Sequence, residues 1–288
     1  MRDLFFLSAA DFVVRSSLVQ PGPLFAKTRE TLSCTVAVCV RDDGSLVLVD
    51  AGFSEAACRD PIQELGCFTR RCLGLRLSPE HAIVHQLEAL GFDRGQVAAV
   101  VATHCHLDHI GGLCDFPNAE LIATSEELKA IGDIAPRLGY RPTDLAQAQQ
   151  LRIAQLTGPR HLGFPASLDL FGDGEITLLD AEGHSSGHLA VLLVGPSGAY
   201  LHAGDALLLE WEAGQGFEGP GRVSRLICTD ARALDRTLEA LRQLGIDESA
   251  GSAPRIVPAH DRRVFDTLPH APLDSGAVSD PRSTSRSA

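Results

Sequence analysis

The chain has 288 residues, 44% of them hydrophobic and 22% charged, the proportions of a globular protein rather than a disordered one. A formal net charge of −12 denies it the basic face a nucleic-acid partner needs, and no run approaches the roughly 18 apolar residues of a membrane span. The apolar patch from Met1 to Leu7 is too short for a signal-peptide core and is broken by Asp11, so a cytoplasmic protein is expected.

In chain order, Thr35 to Val40 and Leu46 to Val49 read as strands joined by Arg41-Asp42-Asp43-Gly44, an Asp-Gly hairpin turn. Residues 53–78 lack periodicity and read as a loop, either on the surface or over an active site. Ser78-Pro79-Glu80 opens a helix whose apolar stripe is Ile83, Val84, Leu87 and Leu90, with Gly91 ending it. His81 and His85 lie four apart on that helix. Without an acidic third ligand nearby in sequence they read as solvent-exposed rather than as a ligand pair.

Val97 to Ala102 is an apolar, β-branched run that reads as a buried strand. It ends in Thr103-His104-Cys105-His106-Leu107-Asp108-His109-Ile110-Gly111-Gly112, where three histidines and one aspartate fall within six positions. Scattered surface roles do not explain such a cluster. Imidazole and carboxylate together suit zinc, manganese or iron. Gly111 and Gly112 are expected to turn the backbone through positive φ. Cys105, alternating with its neighbours, is expected to face away and pack. The eight cysteines include no C-x-x-C pair and read as free thiols.

Glu120 to Thr124 then reads as a strand and Ser125 onward as a helix, followed by a polar, loop-rich stretch over 136–171 containing Tyr140, His161 and Phe164. Three more strands follow at Glu175 to Leu179, Leu189 to Val194 and Ala199 to His202. Ala231 to Leu244 is an amphipathic helix with Leu234, Leu238, Leu241 and Leu244 on its core stripe. Arg255 to Pro258 is a last short strand. Strand-then-motif blocks in 35–112 and 175–205 favour a single domain over 1–270, and residues 271–288 have the composition of a disordered tail.

The metal-type stretch resembles the signature of the metallo-β-lactamase superfamily. Leu46 to Val49 followed by Asp50-Ala51-Gly52 is similar to that family's strand ending in Asp-x-Gly. Gly183-His184, Gly204-Asp205-Ala206 and Pro258-Ala259-His260-Asp261 follow in the family's order. The resemblance implies an α+β fold, a four-layer αββα sandwich. It implies two divalent metal ions, zinc with iron or manganese as alternatives. One would be held by His104, His106 and His184, the other by Asp108, His109 and His260, with Asp205 bridging both. Asp108 and Asp205 would be the catalytic carboxylates, serving a hydroxide shared by the ions that attacks a carbonyl, with Asp108 or a metal-bound water moving the proton. His188 is expected to support the site rather than bind metal, His202 to pack, and Asp50 to brace the ligand loop by hydrogen bonds. Tyr140 and Trp211 are either pocket-lining or ordinary surface aromatics.

Because Asp205, not cysteine, takes the bridging position, the pattern resembles glyoxalase II and N-acyl-homoserine lactonases more than true β-lactamases. Asp169-Leu170-Phe171-Gly172-Asp173-Gly174, Gly183-His184-Ser185-Ser186-Gly187-His188 and Ile110-Gly111-Gly112 are particularly similar to the lactonases. The resemblance thus implies a hydrolase that opens a carboxylic ester, a quorum-quenching lactonase acting on a small-molecule lactone. A glyoxalase II-like thioesterase, with Arg262 and Arg263 for glutathione carboxylates, and a mononuclear iron persulfide dioxygenase are the alternatives. The chain departs from the lactonases in Ala181-Glu182, where they often have Thr-Pro, and in Leu208, where some have a tyrosine. Relatives are commonly dimers, which makes a homodimer an expectation.

Overall fold

A computed structural model describes residues 1–20, 27–133, 139–212, 220–249, 251 and 253–272. Strands β1 (Asp3–Arg15), β2 (Arg29–Val40), β3 (Leu46–Val49), β4 (Leu75–Arg76), β5 (Val97–Val101), β6 (Glu120–Ala123) and β7 (Gln150–Ile153) form one sheet, in the order β4-β1-β2-β3-β5-β6-β7. A second sheet, ordered β12-β11-β10-β9-β8, contains β8 (Ser167–Asp169), β9 (Ile176–Asp180), β10 (Leu189–Gly195), β11 (Gly198–His202) and β12 (Arg255–Val257). Both are mixed: β3, β5, β6 and β7 run parallel, as do β11 and β12, and the remaining pairs are antiparallel. The predicted hairpin is β2–β3, with Ala37 opposite Val49 and Gly44 at φ +85° in the turn.

The helices are α1 (Ser16–Val19), α2 (Glu55–Arg59), α3 (Pro61–Cys72), α4 (Ile83–Ala89), α5 (Leu107–Ile110), α6 (Ser125–Asp133), α7 (Pro142–Leu145), α8 (Arg222–Ile227), α9 (Ala231–Ser249) and α10 (Arg262–Phe265). Alternation along the strands sorts the core into three interfaces. Val36, Val38, Leu46 and Leu48 pack outward against Ile83, Val84 and Leu87 of α4. Ala37, Cys39, Val47 and Val49 point the other way and meet Leu178, Val191 and Leu193 of the second sheet. On the far face of that sheet, Leu179, Ala190, Leu192 and Leu201 meet Leu234, Leu238, Leu241 and Leu244 of α9. The layers are therefore helix, sheet, sheet and helix, the αββα sandwich. Strands covered on both faces explain why β3 and β5 are apolar throughout.

Several local expectations need correction. Residues 3–15 form a long strand paired with β2, where the sequence shows only a short apolar patch. Residues 55–72 are helical: Ser54 Oγ accepts from Ala57 N–H at 3.1 Å, the Asp60 carboxylate accepts from Gln63 N–H at 3.0 Å, and Pro61 opens α3. α3 has no fully buried residue and is broken at Gly66 (φ +79°). The helix at Ser78 is one 3₁₀ turn, Pro79–His81, separated from α4 by extended Ala82.

His81 Nδ1 accepts the Ser78 N–H at 3.1 Å, so the ring belongs to the cap. His81 and His85 are partly buried beside Asp11 (3.8 Å) and Glu55 (3.2 Å), neither a ligand pair nor simply solvated. The stretch 136–171 contains α7, β7 and β8. The tail expected over 271–288 lies, from residue 273 on, outside the described residues, as does the Trp211 side chain. No helix among the described residues is long and apolar enough to cross a membrane.

Candidate metal centre

β3 and β5 run side by side and end together, which places Asp50-Ala51-Gly52 against the histidine-rich loop. Asp50 N–H donates to Val101 O (2.9 Å), Ala51 N–H to His109 O (2.6 Å) and Gly112 N–H to Gly52 O (2.8 Å). Gly111 is helical (φ −59°), and neither it nor Gly112 has positive φ, contrary to expectation. Glycine is needed because the two loops touch: a Cβ on Gly112 would lie 2.3 Å from Ala51 O. Positive φ is taken instead by Gly52 (φ +66°) and by Asp50 (φ +64°), a conformation rarely adopted by non-glycine residues.

All seven residues proposed from sequence come together in two groups, His104, His106, His184 and Asp205 in one, and Asp108, His109 and His260 in the other. The ends of β5, β9, β11 and β12 deliver them from both sheets. In the first group, His106 Nδ1 lies 2.9 Å from His104 Nε2 and 3.3 Å from His184 Nε2. Asp205 Oδ2 lies 3.5 Å from His184 Nε2 and 3.9 Å from His104 Nε2. In the second, His109 and His260 Nε2 are each 3.8 Å from Asp108 Oδ2. Asp205 Oδ1 faces those same nitrogens, at 3.3 and 3.0 Å.

Tetrahedral ligands 2.0–2.1 Å from a zinc ion stand about 3.3 Å apart, so this spacing is that of a coordination shell. His109 Nε2 and Asp205 Oδ1 are buried with no hydrogen-bond partner, a costly arrangement that a cation between them would relieve. The donor set therefore fits two divalent ions.

Burial controls the charges. It pushes the imidazoles of His104, His106 and His184 below their ordinary pKa, well below for His104 and His184, which keeps them neutral as ligation requires. Burial opposes charge on His109 too, but the carboxylates of Asp50, Asp108 and Asp205 outweigh it and hold this ring well above the usual value. His260 is raised in the same way by Asp205 and Asp108 against its own burial. The Asp205 carboxylate, though buried, is held well below the normal range by His260, His109 and His184.

Supporting contacts aim the rings. Asp50 Oδ2 accepts from His109 Nδ1 at 2.7 Å, while its carboxylate takes the Thr103 N–H and hydroxyl, so Asp50 braces the loop as expected. His260 Nδ1 donates to Ser33 O at 2.7 Å, freeing Nε2 for the site. His188 Nε2 accepts the Asp205 N–H at 3.0 Å, and burial lowers its pKa to about 3. His202 is buried, bonded through Nε2 to Thr35 O (3.0 Å) and through Nδ1 to Gly204 N–H (3.2 Å), and it packs as predicted. Cys105 is buried in the outer core. Tyr140 is neither a surface group nor an open pocket wall. Its ring stands edge-on to His106 at 4.5 Å and its hydroxyl donates to Glu127. Leu208, also buried, presents no hydroxyl.

Sequence reasoning missed Glu127, a buried carboxylate that also accepts the N–H groups of Cys105 (3.0 Å) and Gly187 (3.2 Å). Thr124-Ser125-Glu126-Glu127 has the spacing of a helix capping box, the one signal that marks the position.

Among curated proteins, the chain is 34% identical over 242 residues to a probable metallo-hydrolase of Mycobacterium tuberculosis, covering 82% of this chain and 73% of that one. It is 29% identical over 204 residues to the N-acyl homoserine lactonase AttM of Rhizobium johnstonii, covering 68% and 70%. Among solved structures, a B. thuringiensis AiiA variant with N-decanoyl-L-homoserine at its active site superposes with a TM-score of 0.69 at 20% identity, over 92% of this chain and 95% of that one. AidC, a dizinc quorum-quenching lactonase, gives 0.61 at 17% identity, over 92% and 88%. The family profile of the metallo-beta-lactamase superfamily matches residues 33–260. With that match spanning most of its length and both sheets, the chain belongs to the metallo-beta-lactamase superfamily.

Proposed function

We propose that the protein is a dinuclear metal-dependent hydrolase that opens carboxylic esters, with lactones such as N-acyl-homoserine lactones as its substrate class. The observation that carries this reading is the Asp205 carboxylate, whose Oδ2 faces one ligand group and Oδ1 the other. His104, His106 and His184 would hold one ion, Asp108, His109 and His260 the second, and Asp205 both. When bound, such a pair supplies Lewis acidity, polarising a carbonyl and making water nucleophilic at neutral pH.

Ring opening adds one water: the acyl carbon gains its oxygen, the ring C–O bond breaks, and the ring oxygen leaves as a hydroxyl. Asp108 is the most accessible carboxylate of the set, its side chain 16% exposed against 6% for Asp205. It is therefore placed to accept a proton at the oxygen not turned toward His109 and His260 and return it to the leaving oxygen. Asp205, buried and flanked by three imidazoles, stays ionised and orients.

Similarity to AttM supports the lactone class. The arrangement of the cations disfavours the thioesterase alternative. Arg262 is paired with Asp266 (2.7 Å) and Asp11 (3.2 Å), and Arg263 extends past Glu30 (3.7 Å). Two ligand groups rather than one also disfavour a mononuclear iron enzyme. The test is proton release from a medium-chain N-acyl-homoserine lactone by zinc-loaded protein against a chelator-treated control. Fast, metal-dependent acid production is expected. Silence on lactones with turnover of S-lactoylglutathione would replace the lactonase with a thioesterase.

A further inference from the structure

Each ligand group is braced by a different buried carboxylate. Asp50 bonds directly to the second group, at 2.7 Å to His109, and reaches the first only through the Thr103 hydroxyl, which lies 3.2 Å from His104 Nδ1. Glu127 serves the first, and touches nothing of the second. Its Oε2 accepts the N–H of Cys105, the residue between His104 and His106, and its Oε1 accepts the N–H of Gly187, three residues after His184. A third bond, from the Tyr140 hydroxyl at 3.1 Å, presses that ring edge-on against His106. Gly139, next to Tyr140, accepts the Leu107 N–H at 2.7 Å and approaches the His106 ring so closely that a Cβ would lie 2.8 Å from it. Thr124 Oγ1 completes the tie by donating to Gly187 O (2.9 Å) and accepting the Glu127 N–H (3.3 Å).

Three chain segments, those of Cys105, Tyr140 and Gly187, are thus fastened at one carboxylate beside His104, His106 and His184. A glutamine there cannot replace it, since both oxygens face N–H donors and an amide nitrogen would meet one of them donor to donor.

We infer that Glu127 is a positioning residue specific to the His104–His106–His184 position, and that the affinities of the two metal positions are set separately, one by Glu127 and one by Asp50. This inference rests on the dinuclear reading above. Losing a partner of this kind costs about 10–100-fold in metal affinity.

The experiment is a chelator-competition titration with zinc on metal-free wild type, E127Q, Y140F, D50N and the E127Q/D50N double variant, with bound metal counted and circular dichroism confirming the fold. In wild type two equivalents bind. E127Q is expected to weaken one step about 10–100-fold and leave the other within about twofold. Y140F should weaken the same step less, D50N the other step, and the double variant both. Weakening of both steps equally by E127Q, or of neither, overturns the inference while leaving the dinuclear centre standing. If E127Q does not fold, Y140F decides the matter by the same criterion. Wild type that takes up a single equivalent overturns the dinuclear reading and this inference with it.

Discussion

Asp205 faces both groups of proposed ligands with one carboxylate, so on the dinuclear reading its loss would not be confined to one ion. Asp205→Ala is expected to lower metal content and to reduce kcat/KM by more than the 10–100-fold typical of an outer partner, measured by elemental analysis and lactone turnover. Asp50→Asn keeps the shape but removes the charge facing His109 Nδ1; tighter chelator competition and a smaller activity loss than Asp205→Ala are expected. The imidazoles also fix a pH response. His104, His106, His184, His188 and His202 all have folded pKa values below the ordinary 6.5. Below that pH the unfolded chain binds more protons at these five rings than the folded one, so they withdraw stability as pH falls. Raised His109 and His260 act in the opposite sense, contributing below their folded pKa and losing that contribution as pH rises through it. With five lowered rings against two raised, the Tm of metal-free protein should drop between pH 7 and pH 5, a trend that differential scanning at fixed ionic strength would show or refute.

Elements differ in what they do for the centre. Gly112→Ala drives a methyl group onto Ala51 O and should cost about 1–3 kcal/mol, with metal content falling because the displaced segment carries His104 to His109. Leu238→Ala in α9 should cost about 2–5 kcal/mol by leaving a cavity on the far side of the second sheet, yet leave metal stoichiometry unchanged. Denaturation curves paired with metal counts would separate the two cases. The elements also differ in how plainly their residues announce them. β3, β5, β10 and the stretch of β2 from Val36 to Val40 are legible because they are apolar throughout, whereas Arg29 to Ser33 at the start of β2 are not and go unread. β1 is obscured by an irregularity between Ser8 and Asp11, which breaks the two-residue period. α2 is obscured because it is only five residues long, and α3 because it is broken at Gly66 with no residue fully buried. The seven ligand residues were visible because motif order carries them, while Glu127 was not: a glutamate at that spacing is explained locally as a helix cap. Only the approach of Cys105, Tyr140 and Gly187, remote in sequence, reveals its other bonds.

On the scale of the molecule, charge separates the competing substrates. A chain with net charge −12 repels anions at long range, and added salt screens that repulsion. For a neutral lactone, kcat/KM should be nearly flat between about 20 and 200 mM salt, whereas an anionic glutathione thioester should be turned over faster as salt rises. Stopped-flow comparison of the two substrates across that range would expose a thioesterase by its slope.

The second ligand group joins distant parts of the chain: His260 Nδ1 is held by the carbonyl of Ser33, 227 residues earlier, on a strand of the other sheet. On the ribosome, the first sheet's strands and six of the seven proposed ligands emerge before the last one is made. A nascent or prematurely terminated chain ending before residue 260 lacks a ligand and leaves the Ser33 carbonyl without its imidazole. On the dinuclear reading proposed above, the centre is complete only once His260 has been made, so full metal loading would report that the chain extends through that residue.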